Sequence, residues 1–169
     1  MKAILIATIS SLLIVPGVAF SQSASSVSEA GLIEGIKAVW MTENGALPRM
    51  TYNCGDGEKL PPIALSNVPV GTDEIEIAFF DDTYRGTRGW SHGVITFRIS
   101  GADITNGTYI IPSIESHTSE LGANAVVTKN PDNRRYKGWH PPCNGMNRYS
   151  ADITAKGATI KQTTSIKLN

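Results

Sequence analysis

The stretch EIEIAFFDD, Glu74 to Asp82, decides the fold. Ile75, Ile77 and Phe79 alternate with polar or small residues, and a side-chain period of two is that of a strand with one buried face. The run then breaks on paired acids, Asp81 and Asp82. Working outward, Val94 to Ile99 is β-rich after a glycine, and Gly107 to Ile111 follows an Asn106-Gly107 turn signal. Tyr149, Ala151 and Ile153 alternate again, as do Ile160, Gln162, Thr164, Ile166 and Leu168. Turn-forming clusters separate these runs at Thr42–Pro48, Gly55–Pro62, Pro69–Asp73 and Lys129–Gly145. Short strands with Gly- and Pro-rich connections predict a mainly β protein, an antiparallel sandwich or barrel with few or no helices. One segment reads differently. Leu32, Ile33, Ile36, Val39 and Trp40 fit one face of a helix, although Gly31 and Gly35 weaken it.

The N-terminus predicts export. Lys2 precedes an apolar run to Phe20, interrupted by Pro16-Gly17 and followed by small residues, which is the order of a signal peptide over residues 1–21. A membrane helix needs about 20 apolar residues, so the alternative of a retained anchor fits less well. Residues 22–169 are then expected to form a single domain, secreted or periplasmic. The 169-residue chain has 15 basic and 15 acidic residues. Near-neutral charge gives no electrostatic footprint for nucleic acid or an anionic membrane surface. Any affinity for an anion must come from a local site.

Cys54 and Cys143 are an even pair in an exported chain, which predicts a disulfide; two free thiols or a shared metal are the alternatives. Such a bridge is worth up to ~4.6 kcal/mol in the loop-entropy model. Neither cysteine belongs to a C-x-x-C pair, so structural zinc has no support. The long segment from Lys129 to Asn147 holds Trp139, His140, Pro141, Pro142 and Cys143, and loops of that length are often functional.

Three segments together resemble the phosphatidylethanolamine-binding-protein family, in its bacterial and archaeal Raf-kinase-inhibitor-like branch. They are LPRMTYNCGDGEKLPPIALSNVPVGTDEIEIAFFDD (Leu47 to Asp82), GWSHGVITFRI (Gly89 to Ile99) and YKGWHPPCNGMNRY (Tyr136 to Tyr149). The resemblance implies a β-sandwich with a small pocket at one end, lined by those segments and taking a phosphate or a phospholipid head group. It implies ligand-binding roles for Asp81, Trp90, His92, His140, Pro141, Pro142 and Tyr149. It also implies strand and turn over Val39–Pro48, and this is preferred to the helical periodicity because two glycines and Pro48 argue the same way.

The chain departs from the family where D-P-D-x-P is replaced by Asp81-Asp82-Thr83-Tyr84-Arg85, and where H-R-Y becomes Asn147-Arg148-Tyr149. Cys143 follows the proline pair instead of preceding it, and about 20 residues after Tyr149 are too few for the family's last helix plus a strand.

Within that pocket, Asp81 is expected to accept from one His92 nitrogen and so orient the other toward an anion. The alternative from spacing alone is that Asp81 caps a turn and His92 is a satisfied loop histidine. Tyr149 is either a hydroxyl donor or a core tyrosine. His140 and Trp139 are pocket wall or exposed tip, Trp40 is core, and His117, in the polar SIESHTSE, is expected to be solvated.

The chain thus reads as a non-enzymatic binder of a small anionic ligand, without cofactor or metal and with another protein as a possible partner. A carbohydrate-binding module stacking sugars on Trp90 and Trp139, or a protease-inhibitor-like module, is the alternative. A hydrolase is the less favoured rival: Asp81, Asp82, His92 and His140 could in principle form a two-His, carboxylate metal site, but there is no H-E-x-x-H or other compact ligand motif, and no G-x-S-x-G.

Overall fold

The computed structural model describes residues 34–43, 59–84, 90–119, 121–132, 135–141 and 146–168. Ten strands are seen among the described residues: β1 Lys37–Trp40, β2 Lys59–Leu60, β3 Ile63–Ser66, β4 Glu74–Asp81, β5 Trp90–Arg98, β6 Tyr109–Ile111, β7 Ile114–Glu115, β8 Ala125–Lys129, β9 Tyr149–Gly157 and β10 Ile160–Lys167. A single 3₁₀ turn, Gly101–Asp103, is the helical element among the described residues. The protein is therefore mainly β, and every strand pairing is antiparallel. No helix among the described residues is long and apolar enough to cross a membrane.

The larger sheet has the order β10-β9-β4-β5-β8, so the stretch read first from sequence is its central strand. A second sheet runs β1-β3-β6, and β2 pairs with β7 in a short ribbon. The inner face of the large sheet is built in rows across three strands. Phe97, Ile75 and Ala155 form one row, and Ile95, Ile77 and Ile153 the next. Gly93, Phe79 and Ala151 follow, and Trp90, Asp81 and Tyr149 end the series. Ile75, Ile77 and Phe79 are fully buried, each contributing about 1.5–3 kcal/mol through loss of apolar surface to water. The opposing sheet supplies the row Trp40, Ile63 and Ile111, and both sheets feed one apolar cluster.

The Asn106-Gly107 signal forms a two-residue turn with both residues at positive φ, closed by mutual hydrogen bonds between Thr105 and Thr108. The helical periodicity read near Trp40 does not hold: Lys37–Trp40 is a strand pairing with β3. The short backbone is extended because Trp40 can then bury its ring while its Nε1 donates to the Lys167 carbonyl at 3.2 Å. Strands β2, β3, β7 and β8 were not expected. Two of them have two residues each, and β8 is a largely exposed edge. Neither setting produces a long alternation.

Candidate functional site

The end of the large sheet is shaped by a break in its register. Along β4 and β5, Phe79 pairs with Gly93 but Phe80 pairs with Ser91, so His92 is an extra residue bulged out of the ladder. Gly93 has φ +114, and a Cβ there would lie 2.2 Å from the Gly138 carbonyl oxygen. Gly138 itself has φ +73, and its Cβ would lie 2.2 Å from the Thr118 oxygen. Three backbone segments therefore lie directly on one another, and only glycine permits both approaches.

Hydrogen bonds lace the layers together: Asp132 N to Ser91 O at 3.0 Å, His140 N to His92 O at 2.7 Å, and His117 N to Trp139 O at 3.1 Å. Ser91 N in turn donates to Asp132 Oδ2 at 2.9 Å. Trp139 is thereby driven inward and packs on Phe79 with ring centroids 5.4 Å apart. The small neighbours Gly93 and Ala151 flank Phe79 in its row and leave room for the indole.

The residues expected from sequence converge here. Asp81, Trp90 and Tyr149 are cross-strand neighbours in one row. The His92 ring meets Tyr149 edge-on at 5.2 Å and lies nearly parallel to His140 at 5.2 Å. His92, His140, Pro141, Tyr149 and Asp81 are buried, while Trp90 is half-buried and edge-on to Tyr84 at 5.1 Å. Pro142, Cys54, Cys143 and Gly145 lie outside the described residues.

The wiring differs from expectation in three respects. First, Asp81 does not orient His92. Its Oδ1 accepts from Thr83 N, Thr83 Oγ1 and Tyr84 N, each at 2.9 Å, and its Oδ2 from Asn147 Nδ2 at 2.6 Å. The strand ends at Asp81, so the amides that follow have no ladder partner, and the carboxylate caps them. Burial pushes the Asp81 pKa up, but the Thr83 and Tyr84 amides, the Thr83 hydroxyl and the Asn147 amide together hold it below the ordinary value. The asparagine that departs from the family pattern is thus a partner of Asp81.

Second, His92 is oriented by a backbone carbonyl. Its Nδ1 lies 2.8 Å from the His140 oxygen, which can only accept, so Nδ1 carries a proton, and in the neutral ring Nε2 carries the lone pair. Nε2 has no hydrogen bond to a described residue. Burial lowers the His92 pKa, opposed by the His140 carbonyl and by the charges of Asp81 and Asp132. Burial therefore favours the neutral imidazole.

Third, His117 is not solvated. It is half-buried, with Nε2 2.7 Å from His140 Nδ1. Tyr136 lies over both rings, 4.4 Å from His117 and 4.1 Å from His140. All three histidines of the chain therefore meet at one place. Sequence reading missed His117 and Tyr136 because no local pattern marks a contact between residues 23 positions apart. His140 is buried wall, and its pKa is lowered to about 4 by burial first, then by His92 and His117. Trp139 is fully buried, so it cannot stack on a sugar.

A cavity of about 210 Å³ opens elsewhere, lined by Lys59, Phe97, Ser113, Ile114, Glu115 and Leu121 among others, and by none of the expected site residues. No group of three or more His, Cys, Asp and Glu among the described residues is placed to hold a metal ion. The short nitrogen-to-nitrogen contact between His117 and His140 leaves no room for one between them. No family model, curated protein or solved structure matches the chain.

Proposed function

We propose that the chain is an exported binding protein of the phosphatidylethanolamine-binding type, which takes a small anionic ligand, a phosphate or phospholipid head group, where β4, β5 and β9 end. The observation that carries the reading is the convergence of Asp81, Trp90, His92, His140, Pro141 and Tyr149, drawn from four separate stretches of chain, at one end of the sheet. In the same reading residues 1–21 are a cleaved leader, the mature protein is secreted or periplasmic, and Cys54 and Cys143 form a disulfide. Binding rather than catalysis fits the commitments of the site's carboxylate: Asp81 is held by four hydrogen bonds within its own turn and its neighbour.

The chemistry of His92 sets the terms of binding. A neutral imidazole with its proton spent on the His140 carbonyl turns a lone pair toward any ligand at Nε2. A phosphate can bind there only by donating its own proton or by bringing one that makes His92 cationic. Affinity is therefore expected to fall as pH rises. A small, well-hydrated anion is expected to bind at roughly millimolar to high micromolar concentration, about 4–6 kcal/mol. Titration of wild type and His92→Ala with inorganic phosphate and phosphoethanolamine, followed by NMR, tests the reading. Shifts clustered at the β4–β5–β9 end and lost in the variant support it; shifts elsewhere, or the same in both proteins, refute it.

A further inference from the structure

We propose that the cavity lined by the β2–β7 ribbon and β5 is a second binding site, for a small zwitterion with an apolar side group: a free α-amino acid of the leucine or phenylalanine kind. The inference is independent of the anion reading, because none of the lining residues belongs to the β4–β5–β9 end.

The cavity follows from how the large sheet ends. On β5, Phe97 is buried beside Ile75 of β4, and its partner on the edge strand β8 is only Ala125. Among the described residues no strand follows β8 in that sheet. The flank of the ring is closed instead by Leu121, from the segment before β8, and by the stretch from Pro112 to Glu115. In the ribbon, Leu60 pairs with Ile114 and Lys59 with Glu115. Alternation buries the first pair and leaves the second exposed.

The lining therefore grades from apolar to charged. Phe97 and Ile114 are buried, Leu121 is half-buried, and Lys59, Ser113 and Glu115 are exposed. An apolar body with a few polar groups that fix orientation is the make-up of a small-ligand site. Volume sets the size of the guest. A cavity of about 150 Å³ holds benzene, so one of about 210 Å³ holds a six-membered ring and a few further heavy atoms.

The exposed groups carry both signs of charge. Lys59 Nζ stands 3.4 Å from a Glu115 carboxylate oxygen, with side chains 65% and 49% exposed. Such a pair is weak in water, so each partner can turn to a ligand charge at little cost. Ser113 Oγ gives its proton to the Leu60 carbonyl at 2.7 Å, which leaves its oxygen to accept. Glu115 and Ser113 thus suit an ammonium, and Lys59 suits a carboxylate. A ligand bearing both charges on one carbon, with an apolar group for the Phe97–Ile114–Leu121 floor, satisfies the whole lining. An anion alone would meet Glu115, and an uncharged guest would leave the polar rim unmatched.

The test is NMR titration of the full chain with L-phenylalanine and L-leucine, against probes that each lack one feature. Phenethylamine has no carboxylate, phenylpropionate no ammonium, and glycine no apolar group. Both amino acids are expected to give saturable shifts at Phe97, Ile114 and Leu121, with roughly millimolar dissociation constants, and none at His92 or Tyr149. Phenethylamine and phenylpropionate should bind about threefold weaker or more, the size of an exposed charge contact, and glycine should not saturate.

Leu121→Trp, which fills the cavity from a half-buried position, should abolish the shifts. Glu115→Gln and Lys59→Gln change exposed side chains and decide the matter even where the tryptophan variant does not fold. The first should shrink the preference for phenylalanine over phenylpropionate, and the second its preference over phenethylamine. No saturable shift at the lining, shifts centred on the β4–β5–β9 end, or equal binding of the singly charged probes would each overturn the proposal. So would shifts that persist in folded Leu121→Trp, or preferences unchanged in the two glutamine variants.

Discussion

Substitution of Gly93 by alanine probes whether the loop over β5 is rigidly seated. The added methyl would stand 2.2 Å from the Gly138 oxygen and 3.1 Å from the Trp139 Cα, against backbone that cannot rotate away. The residue would also have to hold φ +114, a conformation costing roughly 1–3 kcal/mol for an alanine. Relief of the clash requires the segment to lift, which breaks the His140 N to His92 O bond and loosens His117 N to Trp139 O, at about 1 kcal/mol each.

The expected loss is therefore about 3–5 kcal/mol, a large share of the roughly 5–15 kcal/mol typical of a domain. With a urea m-value of about 1.5 kcal/mol/M, the unfolding midpoint should fall by about 2 M or more. Gly107→Ala is the control: it has a comparable positive φ of +72 but open space around it, so it should lose only about 1 kcal/mol. Gly138→Ala, 2.2 Å from Thr118, should behave like Gly93→Ala. Because either methyl lifts the same segment, the double variant should fall short of the sum. Gly93→Ala within 1 kcal/mol of the Gly107 control, or strict additivity with Gly138→Ala, would refute a seated loop.

Further outcomes are expected at the neighbouring residues. Asp81→Ala leaves the Thr83 and Tyr84 amides and Asn147 without their acceptor, and should cost about 2–4 kcal/mol in equilibrium unfolding at pH 7; Asp81→Asn, which keeps one oxygen, should cost less, and the reverse order would count against the cap. Trp139→Ala should cost about 3–5 kcal/mol by opening a cavity over Phe79, and Trp139→Phe much less, because the buried Nε1 has no hydrogen-bond partner to forfeit. His92 and His140 have pKa values below the ordinary 6.5 when folded, so the unfolded chain binds protons first. Stability should be flat above neutral pH and fall between about 6.5 and about 4, by at most ~3 kcal/mol for His140 at ~1.4 kcal/mol per pH unit. Thermal unfolding across that range checks it, and a melting temperature unchanged down to pH 4 would contradict it.

What the sequence by itself determined is the part governed by period-two alternation. Ile75, Ile77 and Phe79, then Tyr149, Ala151 and Ile153, could lie on one buried face only as strands, and the sheet core is made of them. The Asn106-Gly107 turn was legible for a similar reason, since both residues tolerate positive φ. The resemblance of three segments led to residues that do meet at the end of β4, β5 and β9.

The connections among those residues were decided only by the tertiary structure. Asp81 turned to the amides of its own turn because the ladder stops there, and His92 turned to a carbonyl 48 residues away because a bulge aims it off the sheet. His117 in a polar run has nothing local to distinguish it. It is drawn in by Gly138 passing beneath Thr118 and by a Tyr136 ring that covers two imidazoles at once. A side chain's partner across the fold depends on which backbones can approach within van der Waals contact, and local periodicity carries no record of that approach.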